Sequence, residues 1–191
     1  FLAIPFCVED HSVFHTCCMK LVCNGCRLAA RKQGLAKSCP FCRTPAPEND
    51  GEVLETIRKR VDAKDTAAIY HLGCQYYSGE LGLKKNVPRG IELWSKAAEL
   101  GSTMALFKLG MLNYQGWGVA QDKAKGIHCC ELAAMQGHTE SRHLLGMDEY
   151  INENYDRALR HYLIAAKMGH EESLDAIKEI FAEGRATKAQ Y

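Results

Sequence analysis

Three copies of one pattern set the limits on what this chain can fold into. Leu72-Gly73 returns as Leu109-Gly110 and again as Leu145-Gly146, at steps of 37 and 36 residues. Tyr77, Tyr114 and Tyr150 keep the register. So do Ala97-Ala98 with Gly101, Ala133-Ala134 with Gly137, and Ala165-Ala166 with Gly169, the last at a step of 32. A fixed period of about 30 to 40 residues belongs to stacked helical arrays, where each unit buries its apolar face against its neighbours. Each unit reads as a helix pair, with a first helix predicted from Ala105 to Gln115, a loop at Gly116-Trp117-Gly118, and a second helix from Lys123 to Gln136. Gly110 and Ala105 let the helices approach, and Leu109, Tyr114, Ile127 and Cys130 are expected to fill the space between them. Asp122, Asn86 and Asn154 precede the second helices, where a side-chain oxygen can accept an orphan backbone N–H.

Within this register Gly116-Trp117-Gly118-Val119-Ala120-Gln121-Asp122-Lys123-Ala124-Lys125-Gly126-Ile127, followed by Ala133-Ala134 and Gly137, resembles the Sel1-like repeat, a relative of the tetratricopeptide repeat. The resemblance runs from residue 65 to about 182 and implies an α-solenoid of about three helix-pair units, a right-handed superhelix that holds other proteins. The third unit is four residues shorter between Tyr150 and Asn154, so its turn should be tight. Glu52 to Ala63 matches a second helix, with Leu54, Ile57 and Val61 on one stripe, and is expected to cap the array and tie it to the N-terminal segment.

That segment has a different composition. Seven of the ten Cys (7, 17, 18, 23, 26, 39 and 42) and four of the five Pro fall in the first 47 residues. The expected organisation is a mostly α chain with a zinc-stabilised module over 1–47, a linker and capping helix over 48–64, and repeats over 65–191. The turn-rich stretch Pro45 to Gly51 is the hinge. No secretory signal is visible and the Cys come in C-x-x-C pairs, which favours metal thiolates over disulfides. Cys23-Asn24-Gly25-Cys26, twelve residues, then Cys39-Pro40-Phe41-Cys42 is a double knuckle that specifies zinc. Arg27 to Lys32 between the knuckles is helix-competent. Cys7 has no partner at ligand spacing and is expected to be a small buried residue.

With Cys18-x4-Cys23 upstream and the closing Cys39-Pro40-Phe41-Cys42-Arg43, the module resembles a RING finger that begins, at Phe1, just after its opening Cys pair; the chain is therefore expected to be a fragment. The resemblance implies two interleaved zinc sites. Cys17, Cys18, Cys39 and Cys42 would hold one, and Cys23 and Cys26 would hold the second together with the missing pair. Lys20 stands where the family places a His ligand, and an ammonium cannot ligate zinc. Either Cys17 and Cys18 both serve, or His15 replaces one of them. The zinc is structural, no residue is catalytic, and the implied role is a ubiquitin ligase that positions a ubiquitin-conjugating enzyme while the repeats hold a protein substrate. The docking surface maps onto Leu28, Pro40 and Phe41, with Arg43 bridging the enzyme and ubiquitin. Ala30 stands where many active members carry a large aromatic. The alternative is a non-enzymatic zinc-binding scaffold.

Elsewhere the sequence offers little chemistry. There is no G-x-x-x-x-G-K-[ST], G-x-S-x-G or H-E-x-x-H, so a self-contained kinase or hydrolase is not expected. Cys129-Cys130 reads as core packing, and His138, His143, His161 and His170 as capping or solvated residues. With 24 Lys+Arg against 23 Asp+Glu, a net charge of +1 and no apolar run of membrane-spanning length, neither nucleic acid nor membrane is an expected partner. Arg27, Arg31, Lys32, Lys37 and Arg43 cluster, yet each four-thiolate zinc site adds about −2 and cancels much of that charge. The expected location is intracellular, in cytoplasm or nucleus.

Overall fold

The computed structural model describes residues 12–186; Cys7 and Phe1 lie outside the described residues. Within that range the chain forms two strands and nine helices, and it divides into two compact units, Phe1–Ser102 and Thr103–Tyr191.

In the first unit β1 (Ser12–His15) and β2 (Lys20–Cys23) pair antiparallel, with Val13 opposite Val22 and His15 opposite Lys20. The helix α1 (Asn24–Lys32) starts ahead of the predicted Arg27 because Cys23 is its N-cap, its sulfur accepting the Cys26 N–H at 3.3 Å. The hinge is also shorter than expected, since α2 (Asp50–Asp62) takes in Asp50 and Gly51. Asn49 Oδ1 accepts the Glu52 N–H at 3.0 Å while the Glu52 carboxylate accepts the Glu48 N–H at 2.8 Å, a reciprocal cap that sets the helix start. Leu54 and Ile57 are buried and Val61 is half-buried, as the stripe requires. This face of α2 packs on α3 (Thr66–Ser78), which packs on α4 (Val87–Glu99).

The cysteine module is fastened to this helix stack. Arg60 Nη1 on α2 donates to the Cys17 carbonyl at 2.9 Å, and Nη2 pairs with Asp65, whose other oxygen caps α3 through the N–H groups of Ala67 and Ala68. The Phe14 ring lies 3.9 Å from that of His71 on α3, and burial lowers the His71 pKa to about 4.

The second unit holds α5 (Thr103–Gln115), α6 (Lys123–Met135), α7 (Thr139–Ile151), α8 (Tyr155–Lys167) and α9 (Glu171–Ala182). A Cβ on Gly110 would come within 2.5 Å of Cys130 Sγ, and one on Gly126 within 2.7 Å of the Tyr114 backbone nitrogen, so only glycine allows this approach of α5 to α6. The close approach is the one expected from Gly110, and the four residues expected to fill the space do so unequally. Tyr114 and Cys130 are buried with Ala134, Leu144 and Leu145, but Leu109 and Ile127 are only half-buried. Each follows or precedes a contact glycine by one position, about 100° round the helix, and so lies on its flank.

Asp122 and Asn86 cap their helices, accepting the N–H of Lys125 at 2.9 Å and of Arg89 at 3.0 Å. Asn154 occupies the same place but makes no cap bond, because the short connection draws its Nδ2 to the Glu149 carboxylate at 2.8 Å. His138 and His170 are caps for α7 and α9, each ring Nδ1 accepting a serine N–H at 3.2 Å, from Ser141 and Ser173. Both rings are buried rather than solvated. Cys130 is buried and its thiol is raised to about 12, by burial first and then by Cys129, which agrees with packing rather than redox chemistry. Among the described residues no helix is long and apolar enough to cross a membrane.

Candidate metal centre

Two short turns bring four sulfurs together. The β1–β2 hairpin turns through Thr16 to Met19, with Met19 at φ 53°, and this turn carries Cys17 and Cys18. The second turn is the closing knuckle. Cys39 N–H donates to the Thr44 carbonyl at 2.8 Å and Arg43 N–H to the Cys39 carbonyl at 3.0 Å, and Ser38 bridges to Pro45. Arg43 takes the left-handed φ of 63° that closes the loop, a conformation costing about 1 to 2 kcal/mol for a residue with a Cβ.

The Sγ atoms of Cys17, Cys18, Cys39 and Cys42 all lie within 4.8 Å of one another. Cys18 and Cys39 are 3.6 Å apart, Cys17 and Cys42 are 3.3 Å apart, and the Thr44 hydroxyl lies 3.2 Å from Cys42. Among the described residues no cysteine is in a disulfide. A disulfide would need sulfurs about 2.05 Å apart, whereas sulfurs on a tetrahedral ion at about 2.3 Å are roughly 3.8 Å from each other. The donor set thus fits a tetrathiolate metal site. Burial pushes the Cys17 and Cys18 thiols up, reinforced by bonds to Cys42 and Cys39 respectively, while the Thr44 hydroxyl and N–H draw Cys42 down to about 6. One side of the cluster is therefore already inclined to thiolate, and a divalent cation would remove the remaining protons.

Cys23 and Cys26 stay apart from this cluster at the start of α1, where backbone amides lower the Cys23 thiol and the neighbouring Cys23 raises that of Cys26. Among the described residues no third ligand joins them. His15 is not in the cluster either. Its Nε2 is buried with no hydrogen-bond partner, and burial, then the Arg27 charge, lower its pKa. Of the candidate docking residues, Leu28 and Phe41 are exposed at 55% and 47%, Arg43 is exposed and Pro40 is half-buried.

Two contacts escaped the sequence. The Lys20 ammonium sits 5.0 Å over the Phe41 ring, giving this side chain a cation–π role in place of ligation. Arg60 binds the carbonyl of Cys17 from 43 residues away, and no local pattern announces it.

Comparison with known proteins gives one family and several related folds. The Sel1 repeat model matches residues 66–102, 103–138 and 142–170. A Sel1 repeat protein from Oxalobacter formigenes is similar at 26% identity and a TM-score of 0.68, covering 73% of this chain and 58% of that one. A protective antigen of uropathogenic Escherichia coli with an SLR fold is similar at 23% identity and a TM-score of 0.67, covering 83% of this chain and 36% of that one. The chain thus spans less than two thirds of either relative.

Proposed function

Because the chain belongs to the Sel1 repeat family, whose repeats mediate protein–protein interactions, we propose that it is a two-part adaptor. In this reading the helix pairs hold a protein client, and the zinc-loaded cysteine module recruits a ubiquitin-conjugating enzyme in the manner of RING-type ligases.

The observation that carries the proposal is the choice of sulfurs. Cys17 and Cys18 gather with Cys39 and Cys42 across the intervening Cys23 and Cys26, which is the interleaved order of a RING finger. A ribbon-like single site would have joined the two C-x-x-C pairs to each other. Zinc at the four-sulfur centre would be structural, fixing the hairpin turn to the closing knuckle and so presenting Phe41, Pro40 and Leu28 on one module. The chain's own residues supply the docking face, and Arg43 supplies guanidinium donors for carbonyls on two partners. The family layout gives Cys23 and Cys26 a second zinc with ligands from outside the described residues.

Arg43→Ala in the intact protein tests the ligase reading. Zinc content and melting temperature should hold, since both residues carry a Cβ at the same left-handed φ. Ubiquitin discharge from a charged conjugating enzyme should slow about tenfold, equivalent to about 1.4 kcal/mol of transition-state stabilisation. Inactivity of the wild type across a broad panel of conjugating enzymes would leave the second reading, a non-enzymatic scaffold. Lys20 over Phe41 and the small Ala30 on α1 favour that reading, because they reduce the apolar face offered to a partner.

A further inference from the structure

From Ser12 to Pro47 the module carries Lys20, Arg27, Arg31, Lys32, Lys37 and Arg43 and not one Asp or Glu. Two of these cations line a defined space. Between β1, α1 and the segment leading into the closing knuckle lies a cavity of about 170 Å³, walled by His15, Arg27, Arg31 and Ser38 with Val13 and Leu35. Arg27 and Arg31 are one helical turn apart on the same face of α1, and neither has an acidic partner among the described residues. His15 lines the same wall.

We propose that this cavity is a phosphoryl-binding site that takes a phosphorylated side chain of a protein partner. The donor inventory fits that chemistry. Two guanidiniums present planar forks that match phosphate oxygens, and Ser38 lines the same space. A carboxylate offers two oxygens and one negative charge, whereas a phosphorylated side chain offers three oxygens and about −1.5 to −2, which balances the two arginines more closely. The space suits one anionic group rather than a polymer track. Among the described residues of the module the exposed aromatic is Phe41, and a lysine already lies over its ring. The site is independent of ligase activity and of which sulfurs bind metal, and it gives the module a second way to hold a protein: by its modification state.

The test uses the zinc-reconstituted full chain, titrated calorimetrically with a phosphoserine peptide of otherwise neutral sequence. The unphosphorylated peptide, inorganic phosphate and a single-stranded RNA oligomer are titrated in parallel. The phosphopeptide should bind saturably and the unphosphorylated one should not, with inorganic phosphate competing more weakly. Arg31→Gln and Arg27→Gln should each weaken binding about tenfold or more, the loss of a charge-assisted hydrogen bond. Lys32→Gln and Lys37→Gln, which do not line the cavity, should change it less than about twofold. Equal losses at Arg31 and Lys32 would reduce the site to diffuse charge and overturn the proposal. So would RNA binding tighter than the phosphopeptide, or phosphate binding without any preference for the peptide that carries it.

Discussion

The cysteine module and the helix pairs solve the same problem with opposite resources. From Ser12 to Pro47 only Ser12, Val22 and Cys39 are buried, and α1 buries no residue at all. The α5–α9 unit encloses Tyr114, Cys130, Leu144, Leu145, Leu159, Tyr162, Ile177 and Ile180. A module with so little apolar burial cannot offset the entropy of ordering its chain by the hydrophobic effect alone. In the proposed reading, a metal held by the four clustered sulfurs supplies the missing order, alongside contacts such as Arg60 on α2 to the Cys17 carbonyl and Phe14 to His71 on α3. The helix pairs need neither, since each glycine contact seats a large side chain or a backbone directly.

The largest test of this contrast is metal removal. Structural zinc contributes about 10 to 16 kcal/mol to folding in small zinc modules. Chelation should therefore abolish amide-exchange protection across residues 12–47 and leave α5–α9 protected. Loss of protection in both regions together would break the comparison. Cys39→Ala, which removes a sulfur of the four-cysteine cluster, should reproduce the chelated state.

Next in size is Tyr114→Ala. It removes a 5% exposed ring and its hydrogen bond to Asp148 at 2.9 Å. Denaturant titration should show a loss of about 3 to 5 kcal/mol in the helical unit with zinc content unchanged.

Acid should act on the helical unit through its caps. Burial lowers His138 to about 4 and lowers His170 as well, below the unfolded value near 6.5. The unfolded chain then binds more protons, so stability is full above pH 6.5 and falls as pH drops toward 4. A protonated Nδ1 also cannot accept the serine N–H. Thermal melts of His138→Asn, which keeps a cap acceptor but does not titrate, should show a shallower decline over that window.

The smallest effect separates two residues that look alike in sequence. Asp122→Ala should cost about 1 kcal/mol and Asn154→Ala clearly less, because only Asp122 makes its cap bond.

What could be read ahead of the structure follows from the range of each interaction. The helix-pair boundaries were legible because one contact recurs three times with its glycine, tyrosine and alanine pair in register. The proximity of Cys17 and Cys18 to Cys39 and Cys42 was implied by the resemblance of Cys18-x4-Cys23 and Cys39-Pro40-Phe41-Cys42 to an interleaved finger, and spacing alone did not fix it. Arg60 on the Cys17 carbonyl and Phe14 on His71 were not legible, since each joins residues far apart in the chain through groups common on any surface. The half-burial of Leu109 and the diverted Asn154 were missed for a subtler reason. Periodicity identifies equivalent positions, but a shorter connection or a close backbone approach changes what the side chain there can reach.

The glycine contacts also bear on how such a chain can grow. A Cβ on Gly73 would strike Trp94, one on Gly110 would strike Cys130, and one on Gly146 would strike Tyr162. The close approach is thus settled within one pair, while the next pair shares the core around Tyr114, Cys130, Leu144 and Leu145. A tract of DNA encoding one pair therefore carries its own inner fit with it, and a copy inserted in frame has only its outer faces to match to what lies on either side.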